Sequence, residues 1–355
     1  MTTIIYHDLA SEYYLHYVLD GLMTKTASFQ YKIRISKSEP SLLQHINLPT
    51  KDASRMFALG LFQIKSENTS KWFCIDAHDD SSPEGYIRPI LEKVDYYFKL
   101  NRNPKVFEED VGLAQLEAKI HSLGCTFALR PSNAYRFFPR LKQSKVYGWD
   151  WFSIKRRLLA LRRNPNMQWH RTLRAMQPDK DVFLARRYYR EAGHARSNQE
   201  CLTIVESIKR IEGLTGYIGF TGTTVGTPEC FRKHAIGPDR ALRDHLRLMA
   251  RSRVCIYMPG TYNCLSFKFG QYLALGKPVI GLKLPFMPLM KIDSLDRDIL
   301  AEQFCCDKPD DIPAKLVGLL RDTVRMEYFS SSNIRIFEQY FSPESVADRI
   351  LNRVL

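Results

Sequence analysis

Gly260, Thr261, Asn263, Ser266, Lys268 and Gln271 fall within twelve consecutive residues. Backbone amides, hydroxyls, side-chain amides and one ammonium in so short a stretch suit a nucleotide carrying a diphosphate, whose charge is stabilised by cations, helix N-termini and N–H groups. A second concentration is Asp76-Ala77-His78-Asp79-Asp80, three acids and a histidine in five residues. Such groups are costly to place together unless they are solvated, paired or used in proton transfer. Here Asp76 or His78 is the candidate base, and Asp79 the group that would orient His78. Arg186 and Arg187, in FLARRYY, are further candidate cations, and Thr221 opens the hydroxyl-rich run TGTTVG. That run lacks the GxxxxGK[ST] spacing of a P-loop. His7, in YHD, and Lys99 and Arg102, in FKLNR, follow apolar runs and complete the set, Lys99 and Arg102 as contacts for an anionic ligand.

Each of these residues also has a plainer reading. Lys268 suits a solvated helix position, and Arg186 and Arg187 an exposed pair. The run from Thr221 to Gly226 is an ordinary loop, and Asp76–Asp80 an acidic turn before Pro83. His7 is then a turn residue, and Lys99 and Arg102 belong to an exposed basic loop.

Hydrophobic periodicity shows the elements that must position these groups. Val254–Met258 is almost wholly apolar, Pro259-Gly260 ends it, Ser266–Leu275 has helical spacing, Gly276 closes the helix, and Pro278–Leu282 starts another apolar run. Strand, turn, helix and strand make a parallel α/β unit, in which ligands bind at the carboxyl ends of the strands. Strands at Val182–Ala185 and Tyr217–Phe220 and helices at Asn198–Ile211 and Asp239–Ala250 extend the alternation, with Asn198 an N-cap. A doubly wound parallel sheet follows for the second half. The first half is a less regular α/β region with strands at Thr3–Tyr6, Phe29–Ile35, Met56–Ile64, Trp72–Ile75, Asp95–Lys99 and Cys125–Leu129, and helices at Glu12–Met23 and Gly85–Lys93. Ser342-Pro343-Glu344 opens a terminal helix, with a serine cap and proline in its first turn.

The 355 residues favour two domains, and 45% hydrophobic with 25% charged residues is ordinary for a chain with real cores. No apolar run approaches the ~18 residues of a membrane-spanning helix, and the N-terminus reads without a signal peptide. Eight scattered cysteines with no CxxC pair fit reduced thiols in a cytoplasmic protein and offer no metal-site spacing. The net charge of +14 favours anionic partners. Between Arg136 and Arg171 lie ten Lys or Arg, one acid and the aromatics Trp149, Trp151, Phe152 and Trp169. This segment suits a basic amphipathic helix at an anionic membrane surface or a helix packed between domains. Nucleic-acid binding draws on the same charge and aromatics, but no RNP-type, zinc-finger or helix-turn-helix signature accompanies them.

The segment LRLMARSRVCIYMPGTYNCLSFKFGQYLALGKPVIG resembles the donor-nucleotide half of two-domain GT-B glycosyltransferases, of exostosin-like or capsule and lipopolysaccharide type. Leu246, Met249, Ser252, Val254, Pro259 and Gly260 match one part of that motif, and Ser266, Lys268, Leu273, Ala274, Gly276, Pro278, Val279 and Ile280 the other. The close resemblance covers about forty residues. It implies two Rossmann-like domains facing a cleft: an acceptor-side domain over 1–172, a nucleotide-sugar domain over 173–335, and a helix over 336–355 crossing back to the first. It also implies sugar transfer from a UDP- or GDP-sugar to a hydroxyl of a glycan or lipid-linked glycan, without a bound metal or cofactor. Arg186, Arg187, Thr221, Gly260, Thr261, Asn263, Ser266, Lys268 and Gln271 then fall on the donor side, and His7, Lys99 and Arg102 on the acceptor side. Asn263 and Gln271 stand where related enzymes often carry acids, which leans the reading toward inversion of the anomeric centre and leaves a catalytically inactive scaffold as an alternative.

Overall fold

The computed structural model describes residues 2–7, 15–36, 40–46, 56–132, 159, 161–237, 241–260, 264–284 and 292–355. The described residues of 1–167 and 339–355 form one compact unit, and those of 168–285 and 291–338 a second. Strands are numbered in chain order, as are helices of eight residues or more.

The first unit is built on a six-stranded sheet in the order β2-β1-β3-β4-β5-β6. Its strands are β1 (Thr2–His7), β2 (Tyr31–Ser36), β3 (Leu59–Lys65), β4 (Ser70–Asp76), β5 (Tyr96–Lys99) and β6 (Ile120–Ser122). β3 runs antiparallel to both neighbours, and the other five strands share one direction. The cause is the short β3–β4 link, closed by Ser66 N–H to the Thr69 carbonyl at 3.0 Å. A link of that length makes a hairpin, whereas a parallel crossover needs a dozen or more residues.

Side-chain alternation sorts the two faces of this sheet. Leu59, Leu61, Cys74, Tyr97 and Ile120 pack on one side with Ile87, Ile90 and Val106. On the other, Phe62 stacks on Phe73 at 4.6 Å, and Tyr6 lies 5.0 Å from Phe62. Cys125–Leu129 is not a strand. Gly124, at φ 95°, turns the chain away after β6, and the apolar residues beyond it are buried without pairing. Their alternation reported burial rather than a sheet partner.

Helix α1 (Leu15–Thr24) of this unit packs against the terminal helix. Gly21 permits the approach, since a Cβ there would run into the Pro343 carbonyl. The terminal helix, Pro343–Val354, starts as its residues dictate, with the Ser342 hydroxyl accepting from the Ser345 N–H at 3.2 Å. It thus returns to the first unit.

The second unit carries a wholly parallel four-stranded sheet in the order β10-β9-β7-β8. These strands are β7 (Lys180–Arg187), β8 (Gly216–Thr221), β9 (Ser252–Tyr257) and β10 (Val279–Gly281). Val182–Ala185 and Val254–Tyr257 are buried throughout, as strands covered on both faces must be. Helices α2 (Ala195–Lys209), α3 (Leu242–Ala250) and α4 (Phe267–Ala274) connect these strands, followed by α5 (Ser294–Gln303), α6 (Ile312–Arg321) and α7 (Thr323–Ile336). Asn198 does not cap α2; it lies inside the first turns, buried, with its amide donating to the Tyr189 carbonyl at 2.6 Å. The chain is therefore an α/β protein with Rossmann-like parallel sheet architecture.

Candidate functional site

The carboxyl edge of the second unit's sheet gathers the cations expected there. Arg186, near the end of β7, is 9% exposed; its guanidinium donates to the Pro259 carbonyl at 3.0 Å and to the Ser197 hydroxyl, and its Nε has no partner. Lys268, in the first turn of α4, donates to the Ala185 carbonyl at the end of the same strand. Burial first, and the neighbouring Arg186 second, push the Lys268 ammonium down to about 8. Among the described residues neither cation pairs with a carboxylate. Cys201 and Cys255 lie close by, but burial pushes both thiols up to about 12, so they supply no counter-charge near neutral pH.

The strand-turn-helix around these cations is tightly made. Ser266 caps α4, and its own N–H donates to the Tyr257 hydroxyl at 3.3 Å. Gly260 N–H donates to the Cys264 carbonyl at 2.8 Å, and a Cβ on Gly260 would stand 2.6 Å from the Cys264 sulfur. Gln271, one turn after Lys268, is fully buried, and neither Oε1 nor Nε2 has a hydrogen-bond partner. Buried amides are almost always satisfied, so Gln271 is an exception within the core of this unit. Thr261 and Asn263 lie outside the described residues.

Arg187 and Thr221 are register partners at the ends of β7 and β8. Arg187 is exposed and Thr221 half-buried. The loop after Thr221 is held largely within itself, with Thr224 N–H on the Thr227 hydroxyl at 3.0 Å.

In the first unit, parallel register sets Asp76 at the end of β4 beside Lys99 at the end of β5. Both are buried, and Lys99 Nζ lies 3.0 Å from Asp76 Oδ2. The same oxygen accepts from the Tyr97 hydroxyl at 2.5 Å, and Oδ1 accepts from the His78 N–H at 2.9 Å. Lys99 gives its other N–H groups to the carbonyls of His78 (3.1 Å) and Gly85 (3.2 Å). This corrects two expectations. Lys99 has no N–H left for an anionic acceptor, and Asp76, 1% exposed, cannot meet an acceptor hydroxyl as its base.

His78 is half-buried and Asp79 exposed. His78 Nδ1 accepts from the Asp80 N–H at 3.2 Å, which places the ring proton on Nε2. The ring is thereby set as a donor through Nε2 rather than as a base. Arg102 donates to Glu117 at 2.5 Å and lies 4.6 Å over the Phe107 ring, while its Nε has no partner. His7 closes β1, buried, with its ring 5.2 Å from that of Trp72. Among the described residues no group of three or more His, Cys, Asp or Glu could hold a metal ion.

Sequence reasoning missed Ser197, which holds Arg186, and Tyr97, which donates to Asp76. Tyr97 was legible only through register, because an aromatic residue in an apolar strand reads as core. Most of the basic aromatic segment over 136–171 lies outside the described residues. Of its described part, Arg171 pairs with Glu338 at 2.7 Å, and Trp169 sits under Arg243 and Arg247. Among the described residues no helix is long and apolar enough to cross a membrane.

No family model and no curated protein matches this chain. Solved structures do. A UDP-GlcNAc 2-epimerase from Neisseria meningitidis bound to UDP-GlcNAc is 13% identical, with a TM-score of 0.39 over 99% of this chain and 98% of that one. An S. aureus MnaA–UDP complex is 10% identical, with a TM-score of 0.42 over 99% and 94%. A putative UDP-N-acetylglucosamine 2-epimerase from Listeria monocytogenes is 14% identical, with a TM-score of 0.37 over 95% and 91%. At these scores the likeness carries no functional argument.

Proposed function

We propose that this protein is an enzyme acting on a nucleotide-diphosphate sugar, and that it transfers the sugar to a hydroxyl of a glycan or glycolipid acceptor. One observation carries the reading: Arg186 and Lys268 are crowded together at the carboxyl edge of a parallel sheet and, among the described residues, no carboxylate pairs with either. Two like charges held this way are mutually destabilising. A diphosphate relieves that repulsion, and more so as it departs and its charge grows. Because side chains supply the positive charge, turnover should survive chelators.

On the acceptor side the proton-accepting role passes from Asp76 to Asp79, the exposed carboxylate of the cluster. A single base of this kind suits direct displacement with inversion. The test is nucleotide release from a panel of UDP- and GDP-sugars with glycan and lipid-linked acceptors, in wild type and Asp79→Asn. Release should require acceptor, give the inverted anomer by NMR, and fall about 100-fold in Asp79→Asn with nucleotide affinity intact. No release and no nucleotide binding across the panel would refute the reading.

A further inference from the structure

A buried lysine that bonds both ends of one loop, and the carboxylate of the strand that leads into it, does more than fill the core. We infer that Lys99 is a positioning residue: with Asp76 and Tyr97 it clamps the loop from His78 to Gly85 into one conformation, and thereby fixes the tautomer and direction of His78.

The geometry is specific. Lys99 Nζ spans the loop, bonding the carbonyl of His78 at its start and of Gly85 at its end. The ammonium also lies 5.4 Å from the Tyr86 ring, which continues the chain past the loop. Asp76 fixes the loop's first turn through the His78 N–H. Asp80 then donates its N–H to His78 Nδ1 and accepts from the Ser82 N–H at 2.9 Å. Gly85 closes the loop so tightly that a Cβ there would strike the Asp80 carbonyl. Every link from Lys99 to the imidazole is thus a hydrogen bond between named atoms.

The energetics favour a positioning role over one in stability. Replacing a buried ion pair by apolar residues of similar volume is often neutral or stabilising. A bare core requirement would be met by two hydrophobic side chains at these register partners, but those would leave the His78 and Gly85 carbonyls without donors. The inference concerns the loop itself and stands or falls apart from the sugar-transfer reading.

The experiment compares wild type with Lys99→Met and with the paired variant Lys99→Met/Asp76→Leu, which removes both charges. The readouts are hydrogen exchange by mass spectrometry and long-range 1H–15N spectra of histidine-labelled protein, with His78→Gln assigning the signal. In wild type, His78 should show one neutral tautomer protonated at Nε2. The paired variant should melt cooperatively, like wild type. Its amides over 78–85 should exchange about tenfold faster or more, and its His78 signal should lose the single-tautomer pattern. Unchanged exchange and tautomer in the paired variant would overturn the inference, since the pair would then be packing alone. Failure of the paired variant to fold would overturn it as well, since the pair would then serve the fold.

Discussion

Lys99 and Lys268 stand at the carboxyl edges of two different sheets, and their types and spacing suggest the same use for both. Their surroundings differ. Lys99 faces a carboxylate, a tyrosine hydroxyl on that carboxylate, and two carbonyls, so its charge is satisfied within the fold. Lys268 has one backbone carbonyl and, beside it, a second cation. A buried ammonium with an internal carboxylate is satisfied within the fold and free to position the loop it bonds. A buried ammonium beside a guanidinium, with no carboxylate partner among the described residues, is set for an anion from outside. The partners of a charged group, rather than its place at a strand end, separate the two roles.

The comparison breaks most readily at Lys99. Lys99→Ala leaves Asp76 buried without its counter-ion and should cost about 3–5 kcal/mol of stability, measured by urea unfolding. A loss below about 1 kcal/mol would put Lys99 in the same class as Lys268. Lys268→Ala should do the reverse. Its urea midpoint should stay the same or rise, because repulsion with Arg186 is removed, while affinity for UDP or GDP falls by about 1.4–2.7 kcal/mol, roughly 10- to 100-fold. Gln271→Leu sharpens the contrast at smaller scale. Removing an unsatisfied buried amide should raise stability by about 1 kcal/mol and leave nucleotide affinity unchanged. A variant that loses stability instead would show that the amide is satisfied within the fold.

The second unit was the more legible of the two. Val254–Met258, Pro259-Gly260 and the helical run from Ser266 lie close to β9, its turn and α4, because a continuous apolar run, a breaker and a 3.6-residue period have few other readings. The first unit was harder, since strand propensity says nothing of direction. Only the short link between Lys65 and Ser70 betrays the antiparallel β3. Candidate residues followed the same rule. Arg186 and Lys268 were visible as cations at strand and helix ends. That Asp76 and Lys99 neutralise each other depends on register between strands 23 residues apart in sequence, which composition and local spacing do not contain. Asp76 and Lys99 therefore looked like two separate ligand contacts when they are one buried pair.

The direct test of the central claim is proton uptake on nucleotide binding. In the free protein the Lys268 ammonium lies at about 8, so at pH 8.5 it is mostly neutral. A diphosphate stabilises the charged form, raises that value and draws in a proton. Affinity should fall as the pH rises through the free-protein value of Lys268. Titrating UDP and GDP calorimetrically at pH 8.5, in two buffers of different ionisation enthalpy, should show net proton uptake on nucleotide binding. The uptake should vanish in Lys268→Ala. Tight binding with no proton uptake in wild type, or the same uptake in Lys268→Ala, would contradict the assignment of Lys268 as the diphosphate's cation.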